Sequence, residues 1–317
     1  MLLYIVKRIL MTLLVLLLII IFLSLLVHIV PGDPATTILG PRATPGLIQK
    51  MRSAMDLDKP IYVQVGNFIW NILHGSLGVD AITGAPITKL ISGALPHTLI
   101  LAITSLSLAV ILGIPMGVFS ATHPNSWVDR ILAMVSISLT TIPSYVAGLF
   151  LLLIFAVELR LMPAMGIGQK GDTLDYIKHL ILPSIALAIT WIGYLARLVR
   201  TSLLEVLNET YVRTSRAAGL SERLVRYKYA LKNALIPTVA VLGVGLGSLM
   251  GGAVFVEIIF SRPGMGLLIY NAIQVRNYPM VRSGVLVVAF LFVLANFIAD
   301  LLYTFLDPRI QLNKRQN

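Results

Sequence analysis

Residues 9–30 read ILMTLLVLLLIIIFLSLLVHIV, a run in which only Thr12, Ser24 and His28 are polar and no side chain carries a fixed charge. Wound as an α-helix at about 1.5 Å per residue, they reach about 33 Å, enough to cross the hydrocarbon core of a bilayer. Lys7 and Arg8 precede the run as basic residues precede a secretory leader. The run is longer than the roughly 7–15 apolar residues of a leader, and the polar stretch after it lacks an Ala-x-Ala-like cleavage site. It reads as a retained anchor.

Outward from this anchor the pattern recurs. Residues 96–121, 131–157, 180–198, 234–260 and 283–305 are further apolar runs, giving six candidate spans, of which the fourth is the shortest and draws on its basic flank. The composition agrees: 57% of the 317 residues are apolar and 12% charged, against roughly 25% charged in an average soluble domain. So few ionised side chains cannot coat a water-facing surface of this size. The expected fold class is an all-α membrane protein of six transmembrane helices.

An even number of spans puts both termini on one side. With that side taken as the cytoplasm, the inner segments hold 14 Lys and Arg and the short outer loops, 158–178 and 260–282, hold 6. The 5 in the outer loop 31–95 count for little, because a long loop crosses largely regardless of charge. Both N and C termini are therefore expected in the cytoplasm. The excess of 25 basic over 14 acidic residues sits beside the apolar runs, where it meets anionic membrane lipid, and argues against nucleic acid as the partner. With no cysteine in the chain, disulfides, thiolate nucleophiles and Cys-ligated metals are ruled out.

Three regions follow: 1–30, the N-terminal segment and first span; 31–95, a small folded cap on the outer face; and 96–317, a five-span core with a cytoplasmic segment at 201–232. Within the cap, Thr44-Pro45 reads as an N-cap and first-turn proline opening a short helix through about Met55. A second apolar-periodic stretch at 60–73 carries Trp70, suited to an interface. Gly113, Pro115 and Gly117 interrupt the second span, Pro143 the third, and Pro183 opens the fourth. In the fifth, Gly243, Gly247 and Gly251 recur every four residues, a small-residue stripe that lets another helix approach closely. It serves either tight packing within the bundle or a helix that lines a moving pathway.

Catalytic patterns are missing. There is no His-Glu-x-x-His, no Gly-x-Ser-x-Gly and no complete phosphate-binding loop, since Gly84 to Lys89 lacks the second glycine. The chain is expected to be no enzyme, to bind no cofactor or metal, and not to hydrolyse ATP itself. His28, His74, His97, His123 and His179 lie near span ends or in loops without metal-ligand spacing. Glu257 and Asp300 sit near opposite ends of the fifth and sixth spans, close enough to an interface to be solvated or paired, and no row of acids crosses the midplane as a proton relay requires. That argues against an ion-coupled secondary carrier, and the lack of paired catalytic side chains at membrane depth argues against an intramembrane enzyme.

The most informative stretch lies between the fourth and fifth spans, where residues 197–232 hold eight basic side chains. A helix continuing from the fourth span reaches Ala217 and Ala218, Gly219 gives the left-handed stop, and Ser221 caps the next helix with Glu222 in its first turn. The small corner, flanked by Arg213, Arg216 and Arg223, would admit a partner's groove while the guanidinium groups meet carboxylates or carbonyls on its rim; the alternative from composition is a positive-inside loop adsorbed on anionic lipid.

The order of residues here, Tyr211-Val212-Arg213-Thr214-Ser215-Arg216-Ala217-Ala218-Gly219-Leu220-Ser221-Glu222 followed by Asn233-Ala234-Leu235-Ile236-Pro237, resembles the cytoplasmic coupling segment of the permease subunits of bacterial ABC importers for dipeptides, oligopeptides and nickel. Pro31-Gly32-Asp33-Pro34, Gly113-Ile114-Pro115-Met116-Gly117, Pro263-Gly264-Met265-Gly266, Tyr278-Pro279 and Asp307-Pro308-Arg309 are similar to that group's landmarks and occur in order. In such importers the loop carries a Glu-Ala-Ala motif followed by a glycine. Gly219 matches that glycine, whereas Arg213 stands where the general motif has its acid.

The resemblance implies a permease subunit in the bacterial cytoplasmic membrane. Its partners would be a second homologous permease subunit, two cytoplasmic ATPase subunits that bind the ATP, and an external substrate-binding protein landing in part on residues 31–95. It also implies that Tyr211, Arg213, Thr214, Arg216, Ala217, Ala218, Gly219, Leu220, Ser221, Glu222 and Arg223 dock on an ATPase. The solute is expected to be a di- or oligopeptide, with nickel or another small polar solute as the alternative.

Overall fold

The computed structural model describes residues 2–29, 32–41 and 43–306. In chain order the helices are α1 (Leu2–Ile29), α2 (Pro34–Leu39), α3 (Pro45–Ala54), α4 (Ile61–Leu73), α5 (Ile87–Thr122), α6 (Trp127–Thr141) and α7 (Ser144–Leu151). They continue with α8 (Thr173–Leu207), α9 (Thr210–Ala217), α10 (Glu222–Leu224), α11 (Leu231–Ala234), α12 (Ile236–Ile259), α13 (Met265–Gln274) and α14 (Tyr278–Leu306). Short π-helical stretches, Leu152–Glu158 and Val225–Ala230, extend α7 and α10. Among the described residues there is no strand, only one isolated bridge between Val79 and Pro86. The landmark Asp307-Pro308-Arg309, Pro31 and the side chain of Asp300 lie outside what is described.

Among the described residues five helices, within α1, α5, α8, α12 and α14, are long and apolar enough to cross a membrane. The third apolar run qualifies only as a pair, α6 with α7 and its extension, bent by 99°. The third span, which the sequence marks as interrupted at Pro143, is therefore a broken one, and Pro143 is the cause. It has no N–H to donate and its ring disfavours helical backbone in the residue before it, and Ile142 accordingly turns extended, at ψ 118°.

The chain divides into two compact units. One comprises residues 1–99 and 261–293. Its loop helices do not stand alone: Phe68 of α4 is buried with Ile20 of α1 and Leu286 of α14, and the Arg282 guanidinium lies 4.0 Å over the Phe68 ring. Local chemistry sets each helix start. Asp33 caps α2 by accepting the Ala35 N–H at 3.1 Å and also pairs with Arg52 at 2.8 Å, while Pro34 fills the first turn. Thr44-Pro45 opens α3 as the sequence indicates, by backbone conformation alone, since the Thr44 hydroxyl makes no capping bond. Gly84 sits in a turn organised by Asp80, which accepts from Thr83 and Ile82 and from the Asn277 amide. Burial raises the Asp80 carboxyl, but these hydrogen bonds together hold it below the ordinary carboxylate range.

The other unit comprises residues 100–260 and the end of the chain. α8 is its axis, packed against α6, α7 and α12. Glycine makes the approach possible. A Cβ at Gly113 would stand 2.9 Å from the Ile192 carbonyl oxygen, and one at Gly117 2.8 Å from the Val199 Cβ, so these two positions of α5 admit α8 only because they lack a side chain. Of the glycine stripe in α12, Gly243 faces Ala299 of α14, Gly247 is buried, and a Cβ at Gly251 would meet no atom within 4 Å. Glu257, expected to be solvated or paired, is fully buried.

Candidate coupling elbow

The basic segment after α8 folds as a braced hairpin. The sequence suggests one helix running out of the fourth span to Ala218, but α8 stops at Leu207 and α9 restarts at Thr210. Asn208 makes the break: its side-chain amide donates to the Leu204 carbonyl at 3.0 Å, satisfying a group that the next helical turn would otherwise take. α9 then buries one residue, Val212, which is 0% exposed. It enters a cluster with Val118 and Ala121 of α5, Val199 and Leu203 of α8, and Val225, Ala230 and Ala234 beyond the turn. Burying one such side chain contributes about 1.5 kcal/mol, so Val212 is the pin that holds α9 to the bundle.

Around that pin most of the segment faces outward. Tyr211, Arg213, Thr214, Arg216, Ala217, Ala218, Gly219, Ser221, Glu222 and Arg223 are exposed, and Leu220 is half-buried. Gly219 has φ +82° and no atom within 4 Å of a built Cβ, so the corner is both left-handed and open. Ser221 takes the extended backbone of an N-cap, yet its hydroxyl makes no capping bond.

The turn is held by charge and by a tyrosine. Glu222 accepts from Arg216 at 2.7 Å and from Arg226 at 3.0 Å, closing a bridge across the Gly219 turn. Hydrogen bonding and charge from Arg216, with a smaller contribution from Arg226, keep the Glu222 carboxyl below its usual range. The Tyr211 hydroxyl accepts from the Asn233 amide at 2.8 Å, tying α9 to α11. Arg216, expected to reach for a partner, is thus engaged within the chain. Arg213 and Arg223 are exposed, and neither has an ion-pair partner among the described residues.

Beneath the hairpin lies a contact that sequence reading missed. Asp129, at the start of α6, accepts two hydrogen bonds from Arg200 of α8, at 2.7 and 2.9 Å, one from the Ser120 hydroxyl of α5, and one from the Asn125 N–H at 3.0 Å. One carboxylate therefore joins three helices. The local half of this was visible: Ser126-x-x-Asp129 is a capping pattern, and the Ser126 hydroxyl does accept the Asp129 N–H at 3.1 Å. The other half was not, because Arg200 is 71 residues away. Among the described residues no three His, Cys, Asp or Glu side chains form a group able to hold a metal.

An outward small-residue corner on a braced hairpin can be gripped and pushed by another protein, and it holds no reactive group. Residues 113–312 match the family described as binding-protein-dependent transport system inner membrane component. The chain belongs to that family. Residues 1–102 match the N-terminal region described for the same kind of membrane component. Among its relatives is the dipeptide transport system permease protein DppB of Alkalihalophilus pseudofirmus, 40% identical over 97% of this chain and 99% of that one. The probable D,D-dipeptide transport system permease protein DdpB of Escherichia coli K12 is 38% identical over 89% and 90%. The glutathione transport system permease protein GsiC of the same strain is 36% identical over 97% and 98%. A chain of the MetNI methionine ABC transporter, solved in inward-facing conformations, superposes with a TM-score of 0.58 at 19% identity, over 69% of this chain and 97% of that one. That likeness concerns the fold. The family is one of transport components, not of enzymes, and this member is a multi-pass permease subunit of an ABC importer.

Proposed function

We propose that this permease subunit imports di- and oligopeptides across the bacterial cytoplasmic membrane, with both termini in the cytoplasm and the elbow at 201–232 docked on an ATPase. Its assembly contains a second homologous permease, two ATPase subunits that bind the ATP, and an external receptor that lands in part on residues 31–95. The single observation that carries the coupling role is the exposed, left-handed Ala217-Ala218-Gly219 corner on a hairpin anchored by Val212. The peptide reading rests on the relatives with dipeptide names along nearly their full length. The orientation rests on the eight basic residues at 197–232, which favour the cytoplasmic face. Physically, ATP-driven closure displaces the elbow, and the bundle answers by switching between inward and outward access.

The test is reconstitution of the four-component membrane complex with its receptor in proteoliposomes. ATP-dependent, vanadate-sensitive uptake of Ala-Ala supports the proposal, and uptake driven by a proton gradient without ATPases overturns it. Glutathione belongs among the solutes assayed, because one relative carries that name.

A further inference from the structure

The break between α6 and α7 falls in the middle of an apolar run, and Thr141, Ile142 and Pro143 are exposed there. Within hydrocarbon, irregular backbone is tolerated only where protein covers it or where it borders a water-filled space. Here it borders an open cavity of about 390 Å³ whose polar walls include Thr140, Thr141, Ser144, Thr190 and Ser248, with Tyr145 and Trp191 as its aromatic walls. The cavity lies within one unit of the chain. Trp191 is backed by Gly245, where a Cβ would come within 2.8 Å of the indole, so this wall is fixed by packing.

Three of the wall hydroxyls are already spent as donors. The Thr140 hydroxyl donates to the Ser136 carbonyl at 2.7 Å, that of Thr141 to Ile137 at 2.9 Å, and that of Thr190 to the Ile142 carbonyl at 3.1 Å, across the break. A hydroxyl has one hydrogen and two lone pairs. With each hydrogen committed to backbone, these three groups offer the cavity only acceptor capacity. No Asp, Glu, Lys or Arg lines it. The three threonine acceptors suit the N–H groups of a solute, and walls without formal charge are indifferent to the charge of its side chains, which fits a short peptide. A site without formal charge also binds weakly enough to let its occupant leave, as a transport path requires.

We infer that the cavity at the α6–α7 break is a solute-binding station of the transport path, taking short peptides through their N–H groups onto Thr140, Thr141 and Thr190. The inference rests on the importer reading above. The whole reconstituted complex tests it in two ways. Because this chain has no cysteine, Thr141→Cys and Ser248→Cys can be followed singly with a membrane-impermeant methanethiosulfonate, reading label on this chain alone. Both are expected to react at least about tenfold faster than Phe150→Cys, an exposed position on α7 outside the cavity, because thiol labelling needs water and thiolate. Excess Ala-Ala should slow both. In transport, Thr140→Val and Thr190→Val should each lower Ala-Ala uptake about fivefold, the worth of one hydrogen bond, with the ATPase subunits still co-eluting, while Thr190→Ser should keep wild-type uptake. Cysteines that label no faster than Phe150→Cys, or valine variants that import at the wild-type rate, overturn the inference. Failure of the wild-type complex to import Ala-Ala sinks the peptide reading instead, and the labelling rates, which need no transport, still decide whether the cavity is wet.

Discussion

Gly219 and Glu222 carry opposite lessons about single residues. Gly219 is required by backbone: at φ +82° an L side chain is strained, although nothing crowds the position. Aspartate tolerates this region better than most residues, so Gly219→Asp should leave the hairpin folded while adding bulk and charge at the corner. We expect loss of ATPase co-elution and of uptake with normal membrane insertion, and the same for Ala217→Glu; unchanged uptake in both would count against docking there. Glu222 is required by its neighbours. Its carboxyl is held low by Arg216 and Arg226, so the folded segment binds fewer protons than the unfolded one in the acid range. The stabilisation is therefore complete above the usual glutamate value of about 4.3 and is lost only as pH falls through the lower folded value. Wild type and Glu222→Gln should accordingly show uptake profiles of the same shape between about pH 5 and pH 8, offset by a constant factor. A wild-type profile that bends in that window while the Gln variant stays flat would contradict the assignment. The glycine was legible in the sequence because its role is local. The engagement of Arg216 was not, since composition cannot tell a guanidinium aimed at a partner from one bridging its own turn.

Among the elements, the apolar runs announced themselves because lipid demands long uninterrupted helices, whereas how they break and brace depends on contacts distant in sequence. Pro143 marked a discontinuity, but the 99° bend follows from Ile142 turning extended and from Thr190 holding its carbonyl. Asn208 looked like one more polar residue on a continuing helix, and its side-chain bond to Leu204 ends that helix. The Asp129–Arg200 brace is the clearest case. The Asp129 side chain is 5% exposed and that of Arg200 32%, so removing Arg200 leaves a buried carboxylate held only by the Ser120 and Asn125 hydrogen bonds. Arg200→Met should destabilise the solubilised protein by about 3 kcal/mol. Asp129→Asn with Arg200→Met together should cost clearly less than the sum of the two single changes, because the stranded charge is gone. A double-mutant cycle on denaturant midpoints measures this, and additive losses would show that the pair is not energetically coupled.

In the whole molecule, α8 links the proposed docking hairpin to the proposed solute cavity. Leu187, Thr190 and Trp191 border the cavity, and Val199 and Leu203 anchor the hairpin, about 18 Å along the same helix. Motion imposed at the corner can thus reach the cavity as a shift of one rigid rod, provided its neighbours move with it. α5 is one closely fitted neighbour, because Gly113 and Gly117, the glycines of the Gly-Ile-Pro-Met-Gly landmark, set it against the α8 backbone. Gly117→Leu places atoms where the Ala196 carbonyl oxygen would already lie 2.5 Å from a Cβ, and overpacking of this kind costs about 1–3 kcal/mol. The docking corner is untouched by the change, so ATPase subunits should still co-elute and hydrolyse ATP. Solute moved per ATP should fall, more for Gly117→Leu than for Gly117→Ala, because the larger side chain forces α5 and α8 further apart. The ratio of uptake to hydrolysis in proteoliposomes reads this directly. If attachment and uptake fall together, the damage lies in folding; if the ratio holds, the rod does its work without α5.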